Sequence, residues 1–463
     1  MIAAVKKTLN DMGFAVSEEA HQIIAICDEW YKSKLTNAHK RVTVNGAHYQ
    51  MERMGFGHRV AADDANLCEV LKINAGGGNE AQAAAVNDIL ANNRFDTQYR
   101  RQLELTAAEG TTACYVYLED AQEYSDGSVR GGNIRLNYVD ALGFVPLTVE
   151  NDEVIEAAFT GRSFLKTEER YTLIVCLKED DNYRYIVRAF DKHGKVISDE
   201  SQDISLGSIK PFAVLRTAQV NNIENMDGFG FPKLYSAIPI LKGLDAGFTA
   251  FLGDLEAAEK ITLINEMLCG FDEHGKAIPP NEAMKRRFVM MGEKLPQDKG
   301  LVHEINPEIR SEAFCESIEL LLNLLSQQFG YGTKKYSLDR STGAITTATQ
   351  YIGERQDMMQ ELNRQRHEAK EYISGIARAV LWFANTYHGE NWDLDVDVLV
   401  EFDDGYITDK GAQLESMYND IVSGIGGAHL RALYLMQKYK IDEKTAAKWA
   451  RLPDPDENTE PED

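Results

Sequence analysis

No stretch of this sequence approaches the roughly 18–20 consecutive apolar residues that a membrane span needs. The longest candidate, Ile318 to Leu325, is broken by polar residues within a few positions. The opening segment MIAAVKKTLNDMGF has neither an apolar signal-peptide core nor a small-residue cleavage site, and reads as a short amphipathic helix. A chain made in the cytosol, with no membrane partner, is expected. Cysteine is scarce: Cys27, Cys68, Cys114, Cys176, Cys269 and Cys315 stand apart, without a CxxC pair or a histidine at ligand spacing. That argues against a disulfide framework or a structural zinc site and leaves most of the thiols as small buried apolar groups. Positive charge is the minority, with 49 Lys and Arg against 73 Asp and Glu for a net charge of −24. This balance opposes tight, sequence-blind wrapping of DNA, which requires phosphate neutralisation, but allows DNA to slide past.

Catalytic signatures are missing as well. Gly76-Gly77-Gly78 precedes a helical pattern, yet no GxxxxGK with a following Ser or Thr exists, so the glycines read as a helix-breaking linker. The ten histidines form no HExxH, and there is no GxSxG elbow. Asp393, Asp395 and Asp397 alternate, as three carboxylates on one strand face would. Such oxygens suit a hard cation, but the loop glycine and terminal Glu of an EF-hand are absent, and a solvated strand face is the preferred reading. The motif F-D-x-H-G-K occurs at Phe190–Lys195 and Phe271–Lys276 and reads as two tight turns with exposed histidines. The pairs Met290-Met291 and Met358-Met359 read as gap-filling apolar residues. Neither catalytic residues, nor metal, nor cofactor are expected.

What is present is an ordinary globular composition, 44% hydrophobic and 26% charged. At roughly 100–200 residues per domain, the length allows two to four domains. The first hundred residues are helical in pattern: IIAICDEWYKSKL, then Met51 to Ile73, then Glu80 to Leu90. From Thr111 to Leu215 the period becomes strand-like, in runs such as ACYVYLED, NIRLNYVD and YTLIVCLKED. Turn signals at Asp126-Gly127, Gly131-Gly132, Asn151-Asp152 and His193-Gly194 separate those runs.

Helix returns at Pro239, a residue suited to a first helical turn. Leu241, Leu244, Phe248, Phe251 and Leu255 follow at 3, 4, 3, 4 spacing, a narrow seam for helix packing. A small insert comes next: strand KITLI, a turn at Asp272–Gly275, a short helix near Asn281–Arg287, and strand RFVMM. A second apolar helix, Ser311 to Phe329, carries Phe314, Ile318, Leu321, Leu322 and Leu325 on one stripe. The polar loop Gly330–Gly343 holds Lys334, Lys335 and Arg340. Thr346 to Tyr387 is then the longest helical pattern, about 63 Å at 1.5 Å per residue. Its first half is charged and its second half apolar, so one helix passes from an exposed setting into a packed one. A strand, DLDVDVLVEF, and helices at Lys410–Ser423 and His429–Trp449 close the pattern before the tail PDPDENTEPED. From His388 onward there are 18 acidic and 7 basic residues, and the tail is expected to be disordered.

This order of parts resembles the portal proteins of tailed bacteriophages, of the type found in phages of Gram-positive hosts. The resemblance spans nearly the whole chain. It is carried by CDEWYKSKL, RMGFGHRVAADDANLC, NRFDTQYRRQLELTAAEGTTACYVYLED and NYVDALGFVPLTVENDEVIEAAF, then by GFGFPKLYSAIPILKGLDAGFTAFLGDLE and STGAITTATQYIGERQDMMQELNRQRHEAKEYISGIARAVLWF. It implies an α+β portal fold with a β-rich wing, a two-helix stem, a small α/β clip, a very long wing helix and a short helical crown.

Placed on this numbering, the implied parts are a wing at 1–235, stem helices at 236–260 and 310–330, and a clip at 261–309. A tunnel loop at 331–345, the long wing helix at 346–388, a wing strand at 389–407, crown helices at 408–452 and the acidic tail at 453–463 follow. The implied assembly is a homo-oligomeric ring, usually of twelve subunits, at one capsid vertex of the virion, built in the host cytoplasm. Its implied partners are double-stranded DNA in the channel, the terminase motor, the head–tail adaptor, and major capsid and scaffold proteins. Lys334, Lys335 and Arg340 are then expected to meet DNA phosphates transiently, with solvated loop charges as the equal alternative. Asp245, Asp254 and Glu256 are expected to line the channel or pair across subunits. Leu244 and Phe251 are expected in a stem contact between neighbours, although the same stripe suits the core of a monomeric bundle. A scaffold or minor structural protein of a phage-like particle that forms no channel is the alternative function. A metal-dependent nuclease or hydrolase on the Asp393, Asp395, Asp397 face is the remaining one.

Overall fold

The computed structural model describes residues 3–42, 46, 48–123, 129–165, 168–258, 261–265, 270–271, 273–274, 277–278, 288–291, 302–305, 308–332, 335–336, 348–402, 410–424, 427–439, 441 and 443–451. The fold is mixed α+β, and the chain divides into two compact units. The first comprises Met1–Cys68 and Ile73–Val400, the second Glu69–Lys72 and Glu401–Asp463.

The N-terminal helices are α1 (Ala3–Asp11), α2 (Glu18–Tyr31), α3 (Phe56–Ala65), α4 (Glu80–Asn92) and α5 (Phe95–Glu109). Their starts are set by local chemistry. Ser17 accepts the Ala20 amide at the head of α2, and Asn79 accepts those of Ala81 and Gln82 at the head of α4. The helical pattern expected over Met51–Ile73 narrows to α3, because Gly55 takes a left-handed φ of 72° just before it. Short strands β1 (Lys40–Val42), β2 (His48–Gln50) and β3 (Val70–Asn74) flank it, and β1 pairs antiparallel with β2.

The expected β region is β4 (Thr111–Glu119), β5 (Gln122–Glu123), β6 (Val129–Arg130), β7 (Asn133–Asp140), β8 (Phe144–Glu150), β9 (Glu153–Leu165), β10 (Glu168–Glu179), β11 (Asn182–Asp191), β12 (Val196–Ser205) and β13 (Phe212–Arg216). β8 to β12 form a five-stranded antiparallel meander, and β13, β4 and β7 a three-stranded sheet. Two-residue turns set the meander's register. Asn151 and Asp152 have φ of 50° and 67°, and Asp180 and Asp181 have 46° and 67°, the paired positive values of a type I′ hairpin. At the β11–β12 turn, the Asp191 carboxylate accepts the His193 and Lys195 amides, and Gly194 has a φ of 80°. The first F-D-x-H-G-K is thus a hairpin turn. α1 covers one face of the meander, where its Val5 and Leu9 join Val145, Ala158, Leu173, Val175, Ile186 and Phe190 in one buried cluster.

The remaining elements are α6 (Lys233–Ala257), β14 (Ile261–Asn265), β15 (Gly270–Phe271), β16 (Ala277–Ile278), β17 (Phe288–Met291), β18 (Val302–Ile305), α7 (Ser311–Gln328), α8 (Ala348–Phe383), β19 (Leu399–Phe402), α9 (Lys410–Val422), α10 (Gly427–Tyr439) and α11 (Glu443–Ala450). In the insert between α6 and α7, β14 pairs parallel with β17 and antiparallel with β18. The helix expected near Asn281–Arg287 lies outside the described residues. α8 spans 36 residues and continues into a π-turn at Ala384–His388. The single helix expected at His429–Trp449 is divided into α10 and α11. The strand expected from Asp393 forms only at Leu399, although the alternation holds: Val396 and Val398 are buried while Asp393, Asp395 and Asp397 are exposed. The acidic tail at 453–463 lies outside the described residues.

Candidate functional site

α6 and α7 form an antiparallel hairpin whose register can be read contact by contact. At one end Gln328 Nε2 donates to Ser236 Oγ at 2.8 Å. Next, a side chain added at Gly243 would come 3.2 Å from Leu321, and one at Gly247 would come 3.6 Å from Ile318. Phe251 then meets Phe314 edge to face at 5.8 Å. At the insert end, Arg310 clamps Asp254 with two bonds, Nε to Oδ2 at 2.9 Å and Nη2 to Oδ1 at 2.7 Å. A glycine inside a helix costs up to about 1 kcal/mol relative to alanine; at Gly243 the close approach of α7 explains it.

The expected seam is only partly an outer face. Leu241, Leu244, Ile318, Leu322 and Leu325 are buried within the chain, Phe248, Phe251 and Phe314 are half-buried, and Leu255 is 41% exposed. The large apolar residues that α7 leaves outside are Leu320, 61% exposed, and Leu324, 42% exposed. Leu244, expected between subunits, therefore belongs to the chain's own core. The start of α6 also differs from expectation. The helix begins at Lys233 after Pro232, and Pro239 lies inside it.

The three stem acids part company. Asp245 is buried inside its own chain, where Oδ2 accepts His39 Nε2 at 3.1 Å and Oδ1 accepts the Met54 amide at 2.8 Å. The Thr36 amide donates to Nδ1 of the same histidine at 3.2 Å, so Nε2 carries the hydrogen that His39 gives to Asp245. Both oxygens of Asp245 are therefore engaged within its own chain. Asp254 is held by Arg310, whose hydrogen bonds lower its carboxyl pKa. Of the three, Glu256 alone is exposed.

At the other end of the hairpin lies a cluster that the sequence did not reveal. Lys233 Nζ is buried and sits 3.1 Å from both oxygens of Asp64 and 3.1 Å from Glu361 Oε1. Tyr331 donates its hydroxyl to Asp64 Oδ1 at 2.7 Å, and Gln219 Nε2 donates to Glu361 Oε1 at 3.3 Å. Burial alone would discharge the lysine, but the two carboxylates outweigh it and raise its pKa. One cation thus joins the end of α3, the head of α6, the chain leaving α7, and α8. With the helix start expected at Pro239, no sequence signal marked Lys233, which the structure places in the first turn of α6.

Of the expected DNA-facing residues, Lys335 alone is described; Lys334 and Arg340 lie outside the described residues. Lys335 is folded back, its Nζ 3.7 Å from the Tyr331 ring centre and 5.8 Å from that of Tyr336. The side chain's outer surface is exposed, but the ammonium is desolvated against the rings, which lowers its pKa despite Asp63 and Asp64 nearby. Phe329 stacks on Tyr331 at 6.0 Å, and Phe56 of α3 meets Tyr336 at 5.9 Å. The root of the loop is therefore fastened to α3 by the Phe56–Tyr336 ring contact and the Tyr331–Asp64 hydrogen bond together.

No family model matches the chain, and no curated protein matches it. Among solved structures it is similar to a chain from the virion of a native gene transfer agent particle, at 11% identity and a TM-score of 0.42. That likeness covers 82% of this chain and 89% of the other. It is also similar to a chain from the neck of a native gene transfer agent particle computed with C12 symmetry, at 10% identity and a TM-score of 0.39, over the same shares of the two chains.

Proposed function

We propose that this chain is a portal-type subunit. Identical copies close a ring, usually of twelve, at one vertex of a phage-type particle. The ring conducts double-stranded DNA and serves as a platform for the terminase motor and the head–tail adaptor, with no chemistry of its own. The observation that carries this reading is the α6–α7 hairpin. Between Ser236 and Asp254 its helices run antiparallel for about 27 Å, and they enclose a small β insert. Leu255, Leu320 and Leu324 remain outside. A two-helix hairpin has too little thickness to cover both of its faces, and a heterologous contact repeated around a closed ring covers the outer one. The order of the quoted segments supports the same reading, with the fastened loop root and the 36-residue α8 following the hairpin.

The test is electron microscopy of the purified full-length chain with a count of its rotational symmetry. A closed ring with a channel wide enough for duplex DNA is the expected result. Compact monomers that persist at high concentration and in the presence of capsid and scaffold proteins would replace this reading with the non-channel scaffold.

A further inference from the structure

Although the chain is acidic overall, its charge is unevenly placed. Six of the seven basic residues after His388 fall between Arg431 and Arg451, against two acids in that interval. This interval holds α10 and α11. Arg431, Tyr434 and Lys438 recur at spacings of 3 and 4, and Lys444, Lys448 and Arg451 at 4 and 3, so each set follows one helix face. All five of these cations are exposed, and none has an ion pair with an acid among the described residues. Lys438 instead donates to the Tyr434 hydroxyl at 2.6 Å, with its ammonium 5.0 Å from the Tyr434 ring centre and 5.6 Å from that of Tyr439. Beside the cations stand two large open rings, Tyr439 and Trp449. Helix α10 has no buried residue of its own.

We infer that the α10–α11 surface binds the phosphodiester backbone of nucleic acid. Lysine and arginine supply the phosphate contacts, and Tyr439 and Trp449 offer faces on which an unpaired base can stack. This surface is basic within a chain that is acidic as a whole. The rest of the chain carries a large acidic excess and repels phosphates, so a polyanion reaching the protein is directed here. The inference does not depend on ring formation, because every residue it uses belongs to the smaller compact unit.

The test uses the full chain, titrated into a fluorescently labelled 30-base-pair duplex and a 30-nucleotide single strand at several salt concentrations. The expected result is binding at about 50 mM salt, with an affinity that falls as salt rises by roughly 0.9 in log–log slope per duplex phosphate neutralised. The triple variant Lys444→Glu, Lys448→Glu, Arg451→Glu should reduce the slope by about 2–3 and weaken binding about tenfold or more. The neutral set K444Q, K448Q, R451Q should show a smaller loss in the same direction, and a Lys178→Glu control on the β10 turn no loss. A preference for single strand that disappears in Tyr439→Ala, Trp449→Ala assigns stacking. Equal binding of both strands, indifferent to those two changes, assigns backbone contact alone. Absence of binding to either probe, or charge variants indistinguishable from wild type, overturns the inference. Particle counts on the same samples separate it from the ring reading: monomers that still bind through this surface sink the ring alone, and rings indifferent to the charge variants sink this inference alone.

Discussion

Tyr331 donates its hydroxyl to Asp64 Oδ1 at 2.7 Å, joining two residues 267 positions apart in the sequence. The same carboxylate takes Lys233 on both oxygens, so the third residue beyond α7's end, the head of α6 and the end of α3 share one buried anion. The loop that follows Tyr331 leaves from an anchored point.

Tyr331→Phe removes the hydroxyl and keeps the ring that stacks on Phe329 and carries Lys335. Asp64 then loses one donor in a buried setting, at a cost of about 1–3 kcal/mol. Urea unfolding should show a lower midpoint with an unchanged slope. Amide exchange should quicken around residues 329–336 more than in the β8–β12 meander. An unchanged midpoint would mean that water replaces the hydroxyl without loss.

Lys233→Met should be worse. It leaves the carboxylates of Asp64 and Glu361 without the cation they share, and breaking a buried pair by removing one partner typically costs about 3–5 kcal/mol. Adding Asp64→Asn and Glu361→Gln to that variant should recover much of the loss. Failure to recover would locate the cost in the packing of the lysine stem.

These contacts show what the sequence carries and what it does not. The two type I′ turns are local, and Asn151-Asp152 can be read directly as a turn. Asp180-Asp181 takes the same geometry with a less distinctive residue pair. Alternation identified the face that Asp393, Asp395 and Asp397 present to solvent, but it could not say that regular strand geometry begins only at Leu399. Pro239 misplaced the start of α6 because a proline lacking an amide suits a first turn, whereas here the helix tolerates it further in. The His39–Asp245 bond spans 206 residues, and the Lys233 cluster draws on α3, the chain leaving α7, and α8. Such partners are brought together by topology, and no local pattern announces them. The hairpin was legible as two apolar stripes. Which stripe members turn inward followed only from the register.

Glu109 predicts a pH dependence. It ends α5 buried at 1% exposure, with Oε2 accepting the Ala141 amide at 3.1 Å and Oε1 without a partner among the described residues. Burial, reinforced by Asp140 and Asp28, raises its pKa well above the ordinary carboxyl value of 4.5. An acid with a raised folded pKa binds its proton more tightly when folded. Its stabilising contribution is therefore complete below about pH 4.5 and declines as pH rises towards the folded pKa, by about 1.4 kcal/mol per pH unit. Glu109→Gln should remove that slope and be more stable than wild type at neutral pH. Parallel pH profiles of the two proteins, from urea midpoints between about pH 5 and 8, would contradict this assignment.

Gly110 and Gly131 both have positive φ, 89° and 70°, but differ in their surroundings. A Cβ at Gly110 would lie 2.3 Å from the Gly230 carbonyl oxygen and 2.8 Å from the Pro232 nitrogen, whereas at Gly131 it would meet nothing within 4 Å. Gly131→Ala should cost only the left-handed backbone penalty of about 1–2 kcal/mol. Gly110→Ala adds a backbone clash where α5 turns into β4 beside the chain entering α6, and should prevent soluble folding. Comparable stability of the two variants would show that the segment before α6 yields easily.

The outward leucines of α7 separate assembly from folding. Leu320 and Leu324 are solvent-facing in the single chain, so replacing both with Asp leaves the buried residues of the hairpin, Ile318, Leu322 and Leu325, untouched. The unassembled chain should therefore unfold at nearly the wild-type urea midpoint. In a ring that covers this face, however, each copy would have to desolvate two carboxylates and forgo about 1.5–3 kcal/mol of apolar burial for each leucine that becomes fully covered. Sedimentation should show monomers in place of rings. Leu322→Asp places a charge at a fully buried site and should destroy the fold itself, which calibrates the comparison. Rings that survive Leu320→Asp, Leu324→Asp would mean that the hairpin's outer face lies away from its neighbours and that another surface closes the assembly.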